Sequence, residues 1–560
     1  MNRLHYICFV ILLLLFHLPI FSQNAEQASK EVYSLYSNGD FDLALDKGRE
    51  WLKLFPHDPS LLFYAGESAR RLRYYPTAEV FLDQIPDSAK KGSLSETDFF
   101  IGQTKKSLGK YAEAIRLFYK YLDAYSDEGD ILTHLAKDEI NHCEWIVGKL
   151  KENTNDLFAV HSLNDNINSE YSETAPLRYA DKIYFTAIYP DDENKVSVSR
   201  IYSAIKDHKA RLETFNPTTD DLHAAHISLM PDASKMFYTI CEEVEGSDKL
   251  RCEIWSRDRM YAGGWGPPVK LPKHINFRDA TMLHPTVGWD MFLKSYVLYF
   301  ATDREGGEGG LDIWGSVIDN NGRFAEPFNA PFNSPQDEVT PFFHMPSQTI
   351  FFSSDGFPGV GGFDVFRVTK VGEAQWELPV NMGEPLNTVS DEYYYSYHTR
   401  TGKAYFASNR NCQRRNPNKE NCQTDIFDAT IYAELRLRAY NGANETKLAL
   451  PNITIMDINQ GTVQVLAPDP SGQYFSCQVA ADRLHHLAVF ADGYRPARVI
   501  VSTKNLPYSE VVKKEVYLFE GEATAQEQEE MDQYFDKAAV GSGNAEIESL
   551  RARVNSKIKP

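Results

Sequence analysis

At 560 residues the chain is too long for one hydrophobic core, and three or four domains are expected. Its 78 acidic against 58 basic side chains give a net charge of -20. That balance argues against nucleic acid and anionic lipid surfaces as partners.

Residues 1–22 read as a secretory signal. Arg3 supplies the positive start, Ile7 to Ile20 is apolar, and Phe21-Ser22-Gln23 is a plausible cleavage region. The run is short for a membrane span, and His17 and Pro19 interrupt it. Cys8 lies inside the run, too early for the lipid-modified cysteine of a bacterial lipoprotein. The expectation is an exported chain with no transmembrane span once the leader is cleaved. Export places the other six cysteines in an oxidising compartment.

Residues 23–152 carry a helical period. Asn38-Gly39-Asp40-Phe41 with Ala44, Arg73-Tyr74-Tyr75 with Ala78, and Leu108-Gly109-Lys110-Tyr111 with Ala114 recur at steps of 34 and 36 residues. The pattern resembles the tetratricopeptide repeat, which implies an α-solenoid of stacked helix pairs with a partner-binding groove. Tyr33, Tyr36, Tyr64 and Tyr74 either line that groove or fill the core. His142 is read as a surface residue.

Residues 155–432 repeat a strand phrase five times. Aromatic pairs begin at Tyr184, Phe237, Tyr299, Phe351 and Tyr405; acidic-aliphatic-aromatic triplets centre on Ile201, Ile254, Ile313, Val365 and Ile426. A period near 50 residues with several short strands per unit reads as a five-bladed β-propeller. The repeat-defining structural residues include Asp303, Asp312 and Trp314, then Asp355, Asp364 and Phe366, then Asp425 and Phe427. Trp255, Trp314 and Phe366 share one blade position, as core or as a binding platform. Asn276, Asn333 and Asn387 mark links between units. Cys241 and Cys252 flank a polar turn, as a hairpin disulfide would. Cys412 and Cys422 are candidates to staple the insertion Asn411–Thr424. Cys143 and Cys477 are expected unpaired. The alternative is that all six are thiols.

Residues 433–520 are short alternating strands, expected as a small β-sandwich. The order leucine-proline (Leu450-Pro451), strand, glycine-aromatic (Gly472 to Phe475), strand, Gly493-Tyr494 resembles the carboxypeptidase regulatory-like, transthyretin-type module. Residues 521–560 form an acidic tail expected to be partly disordered, with Ala545 to Lys557 a candidate helix.

No nucleophile elbow, HExxH or phosphate loop is present, and the cysteines lack zinc-ligand spacing. The loop Asp303 to Asp312 does not have EF-hand spacing. Adjacent His485 and His486 face opposite sides of a strand and do not chelate together. No catalytic, cofactor or metal site is therefore expected.

In order, these segments resemble the Bacteroidetes periplasmic proteins that join tetratricopeptide repeats, a TolB-like (WD40-like) propeller and a carboxypeptidase regulatory-like domain. The PorE-type component of type IX secretion is an example. The most specific stretch is Asp337-Glu338-Val339-Thr340-Pro341 through Phe351 to Gly356, Gly361-Gly362 and Asp364-Val365-Phe366. The resemblance implies a multidomain α plus all-β fold and an exported, outer-membrane-associated protein with envelope or secretion-system partners. The OmpA-like peptidoglycan-binding domain and the amino-terminal lipid signal of that family are not found, so any link to peptidoglycan would be indirect. The main expectation is a non-enzymatic scaffold. The alternatives are a glycan- or peptide-binding propeller, and a hydrolase using acidic residues on propeller loops.

Overall fold

The structure, a computed structural model, describes residues 25–125, 129–149, 158–190, 197–205, 208–217, 219, 222–244, 250–411, 423–542 and 545–556. The leader, Cys412 and Cys422 lie outside the described residues.

The chain is mostly β, with a short helical layer at each end. The first layer comprises a helix over 25–37, then Phe41–Leu52, Pro59–Arg71, Tyr75–Leu82, Thr97–Ser107, Tyr111–Tyr125 and Ile131–Lys149. Local chemistry starts and spaces these helices. Asp58 caps the Pro59 helix, accepting the Ser60 and Leu61 amides at 3.0 Å each. Ala44, Ala78 and Ala114 are fully buried between neighbours. Gly102 allows Phe118 to pack so closely that a Cβ there would meet its ring at 2.7 Å.

The expected tetratricopeptide solenoid is not clearly formed. One helix has 8 residues and another 19, and the 3₁₀ turns Asp87–Ala89 and Gly92–Leu94 interrupt the stack. Val360 of the propeller is buried in the helical core. Tyr36 and Tyr64 pack together with ring centroids 5.5 Å apart, while Tyr33 is half exposed. The fold class is corrected accordingly, from an α-solenoid joined to β domains to a predominantly β chain. Aromatic-to-alanine steps report where antiparallel helices touch; they do not fix equal helix lengths or a superhelix.

Five four-stranded antiparallel sheets follow, one per predicted blade. Their innermost strands are Ser172–Tyr179, Leu222–Leu229, Met282–Asp290, Glu338–His344 and Glu392–His398. The aromatic pairs lie on the second strands and the triplets on the third. Four blades end in a two-residue outer strand. The fifth is completed from the other end of the propeller: Phe158–Ser162 pairs antiparallel with Asp425–Asn441. First and last segments therefore share one sheet.

Hydroxyls stitch the ring at every seam. The amides of His226, Val287, Phe343 and Tyr394 donate to Thr186, Ser228, Thr286 and Thr340 Oγ atoms, each at 3.2 Å. Ser396 Oγ donates to the Pro176 carbonyl at 2.7 Å, joining the fifth blade to the first.

One asparagine per blade clamps the centre of each triplet. Asn168, Asn216, Asn276, Asn333 and Asn387 each accept a backbone amide and donate to the carbonyl of the same residue: Ile426, Ile201, Ile254, Ile313 and Val365. These bonds satisfy amides that the short outer strands leave over, and each clamped carbonyl also accepts a second backbone amide.

The strand Asp425–Asn441 runs unbroken out of the propeller, so the expected boundary at 433 falls within it. Its second half pairs with Phe475–Ala480 antiparallel and Val511–Leu518 parallel. A second sheet, ordered Thr462–Leu466, Ile453–Asp457, Leu484–Phe490, Ala497–Ser502, faces it across a core including Leu435, Leu437, Ile455 and Val489.

The tail forms two helices, Ala525–Ser542 and Ala545–Ser556. Met531, Phe535 and Ala538, spaced at four and three residues, bury against Met456, Ala488 and Phe490 of the outer sheet face. The acidic composition of the tail hid this one apolar stripe. Among the described residues no helix is long and apolar enough to cross a membrane.

Candidate functional site: a funnel on the propeller axis

Each innermost strand carries a β-bulge at the same level. Pairing skips between Thr174 and Leu177, Ala225 and Ser228, Leu283 and Thr286, Val339 and Phe342, and Tyr393 and Ser396. The first bulged residue is left-handed every time: φ is 51° at Ala175, 58° at His226, 55° at His284, 53° at Thr340 and 56° at Tyr394. Five non-glycine residues held in that region round one axis form a strained collar.

The collar turns three aromatic rings into the axis. Tyr394 reaches across from the fifth blade, its Oη lying 2.9 Å from His226 Nε2 and 3.1 Å from His284 Nε2. The direction of these bonds follows from one amide. Thr340 N–H donates to His284 Nδ1 at 3.2 Å, so the His284 proton sits on Nε2 and points at Tyr394. Tyr394 then donates to His226 Nε2, and the His226 proton lies on Nδ1, buried without a partner. Burial drives His226 down to about 3 and His284 well below the usual range. Burial likewise raises Tyr394. All three groups are neutral at ordinary pH.

This arrangement does not suit a metal ion. The amide on Nδ1 of His284 commits its Nε2 to carrying hydrogen rather than a ligand lone pair. Among the described residues no group of three or more His, Cys, Asp or Glu side chains is placed to hold a metal.

Beyond the collar, the second halves of the innermost strands enclose a funnel of about 360 Å³. Its walls include Met230, Pro231, Phe342, Met345 and Pro346, with Arg178, Thr399 and Arg400 at the mouth. Among the described residues no Asp or Glu lines it. Two-carboxylate glycoside hydrolysis needs acidic groups roughly 5–10 Å apart across a sugar, and inside the funnel it has none to use.

The opposite rim holds the predicted loop residues. Asp312 Oδ2 accepts the Glu308 and Gly309 amides at 2.8 and 3.2 Å. Asp364 accepts from the Val360 and Gly361 amides and from Asn381 Nδ2. Burial raises Asp364 to about 7. Asp303 accepts the Thr281 amide at 2.7 Å, and Asp355 that of Asp337 at 3.1 Å. Asp425 is buried and opposite Ser408 in strand register. Trp314 lies half-buried under Arg304, while Phe366 and Phe427 are buried against Phe352 and Phe406. The repeat residues are thus brought to one rim as turn and core elements, and none of them enters the funnel.

Sequence reasoning missed the buried carboxylates Glu173, Glu338 and Glu392, each accepting an amide and a hydroxyl from the Ser or Thr four residues earlier. The spacing Asn-Ser/Thr-x-x-x-Glu was the signal. The helical layer covers part of this rim. Tyr111 Oη donates to the Val360 carbonyl at 2.8 Å, and Arg73 pairs with Asp391. His142 is buried in that cleft rather than exposed, and burial lowers it to about 4. Cys241 and Cys252 are bonded across paired strands, and Cys143 and Cys477 are free and buried. His485 is buried on Asp457 at 2.6 Å, and His486 faces away toward Arg498.

No family model matches the chain, and no curated protein matches it. Solved structures of similar shape cover about half of it. A thermostable family-43 glycoside hydrolase is 9% identical, covering 48% of this chain and 91% of its own, at a TM-score of 0.32. An α-L-arabinofuranosidase from Lactobacillus brevis is 11% identical, covering 51% and 95%, at 0.34. An N-acetylgalactosamine deacetylase from F. plautii in complex with blood group B trisaccharide is 12% identical, covering 48% and 92%, at 0.32. With glycoside hydrolases among these structures, the expectation of a chain without enzymatic activity is corrected and is not retained.

Proposed function

We propose that the protein is a glycan-binding propeller whose ligand enters the funnel opposite the helical layer. The observation that carries this reading is the funnel itself. Its floor presents neutral hydrogen-bonding groups on a rigid collar, and its walls are apolar, which is the usual make-up of a small-ligand site. Neutral imidazole and phenol groups suit hydroxyl-rich partners, and proline and methionine walls suit sugar C–H faces. Export to the periplasm, at the outer membrane, and envelope or secretion-system partners remain part of the proposal. The Cys241–Cys252 bond supports an oxidising compartment.

The test is an immobilised glycan array followed by calorimetry. Thr399 is exposed at the funnel mouth, so Thr399→Trp blocks entry without entering the core. Affinity is expected to fall at least about tenfold, while Tyr261→Ala on the remote surface of the second blade leaves it unchanged. Array binding that survives Thr399→Trp places the ligand elsewhere and ends this reading. Assay of the bound glycans for new reducing ends shows whether turnover accompanies binding.

A further inference from the structure

The charges at the funnel mouth run against the composition of the chain. The protein carries a net charge of -20, yet among the described residues the charged side chains lining the funnel are arginines. Arg178 ends the innermost strand of the first blade, and Arg400 lies in the adjoining hairpin of the fifth. Both guanidinium groups lie close enough to His398 to lower its pKa, after burial, so His398 is neutral and the two arginines hold the positive charge.

Neither arginine is spent on an internal carboxylate. Among the described residues neither is ion-paired. Arg178 Nη1 donates to Tyr405 Oη at 3.1 Å, its guanidinium lies 5.9 Å from the centre of the Tyr405 ring, and its Nε has no partner. The phenol therefore orients the planar fork and leaves N–H groups unfilled. Arg178 also borders a second cavity lined by Asp181 and Asp428; Asp428 is held by Lys403 at 2.8 Å, and among the described residues neither carboxylate is ion-paired with Arg178. A half-buried guanidinium without a counter-ion is costly unless a ligand supplies one.

We infer that the funnel takes an acidic oligosaccharide, with a sugar carboxylate bridging Arg178 and Arg400 at the mouth and neutral sugar hydroxyls facing the collar. This rests on the glycan-binding reading above. It adds the ligand's charge and the residues that read it. A carboxylate matches the arginine fork in a bidentate geometry that a hydroxyl does not reproduce. The attraction is local, since the chain as a whole carries a net charge of -20.

The experiment uses the full chain with uronic-acid oligosaccharides, each paired with its carboxyl-reduced counterpart, and a glutamate-rich peptide of matched charge. Calorimetry is expected to show the acidic sugar binding about tenfold or more tighter than the reduced one. Arg400→Gln, at an exposed position, should remove most of that difference and leave the reduced sugar unaffected. Raising salt from 50 to 300 mM should weaken only the acidic sugar. Arg178→Gln should act in the same direction, with its melting temperature checked because of the Tyr405 contact. Equal binding of the acidic and reduced sugars overturns the carboxylate assignment while leaving the glycan reading in place. Binding of the peptide with neither sugar overturns both, as does an absence of binding to all three probes.

Discussion

The closure of the ring gives the sharpest stability prediction. Asn168 is 1% exposed, and its amide group clamps Ile426 by two bonds of 2.8 Å across 258 residues of sequence. Asn168→Ala leaves the Ile426 N–H buried and unpaired, while its C=O keeps the Leu163 amide at 3.0 Å. One unsatisfied buried group costs about 1–3 kcal/mol, and the variant should lose that much stability. In a domain of this size that lowers Tm by roughly 2–12 °C. Asn216→Ala is the control, because Asn216 clamps Ile201 through the same two bonds within one blade. Both variants should lose similar stability in denaturant titrations. Only Asn168→Ala should speed hydrogen exchange in the closing strand Phe158–Ser162 and its partner. A loss below about 0.5 kcal/mol, or equal exchange in that strand for both variants, would falsify the closure.

Two further perturbations test the interior. Lys370 of the fourth blade and Asp290 of the third form an ion pair at 2% and 0% side-chain exposure. Lys370→Met strands a buried carboxylate and should cost about 3–5 kcal/mol. Adding Asp290→Asn should recover more than half, because Asn can still accept the Phe292 and Leu293 amides that Asp290 takes at 2.9 Å; denaturant midpoints read both. His344 is 4% exposed, and burial lowers it to about 4. Its folded pKa lies below the unfolded value of about 6.5, so the unfolded chain binds the proton first as pH falls. Stability is therefore full above about pH 6.5 and lost on acidification toward 4, by about 2 kcal/mol at pH 5. His344→Gln should flatten that part of the stability–pH curve, and an unchanged slope contradicts a neutral buried imidazole.

The propeller was legible because its two markers sit on strands with fixed jobs. The aromatic pairs fill the second strand of each blade, and the triplet centres accept the asparagine clamps. The links at Asn276, Asn333 and Asn387 were visible for the same reason. Their companion Asn216 sits in a phrase with different neighbours, and Asn168, which shares the Asn-Ser-x-x-x-Glu spacing, lies ahead of the first aromatic pair; both escaped notice. The closing strand at Phe158 has no repeat partner, since it completes another blade's sheet. The helical layer misled because Ala44, Ala78 and Ala114 record close helix contact, which many helical arrangements share. In the tail, charge masked the stripe of Met531, Phe535 and Ala538. The funnel was least legible of all. Its collar residues are Ala, His, His, Thr and Tyr, alike only in backbone conformation, and a proline follows in three of the five.

The account's central claim concerns where a ligand sits. The direct measurement is a crystal structure of the chain with its tightest-binding oligosaccharide. The account predicts sugar density in the funnel, over Tyr394 and in contact with Arg400. Density instead on the covered rim, or in the cleft of about 440 Å³ between Arg73, Lys106 and the Asp391 loop, would contradict it.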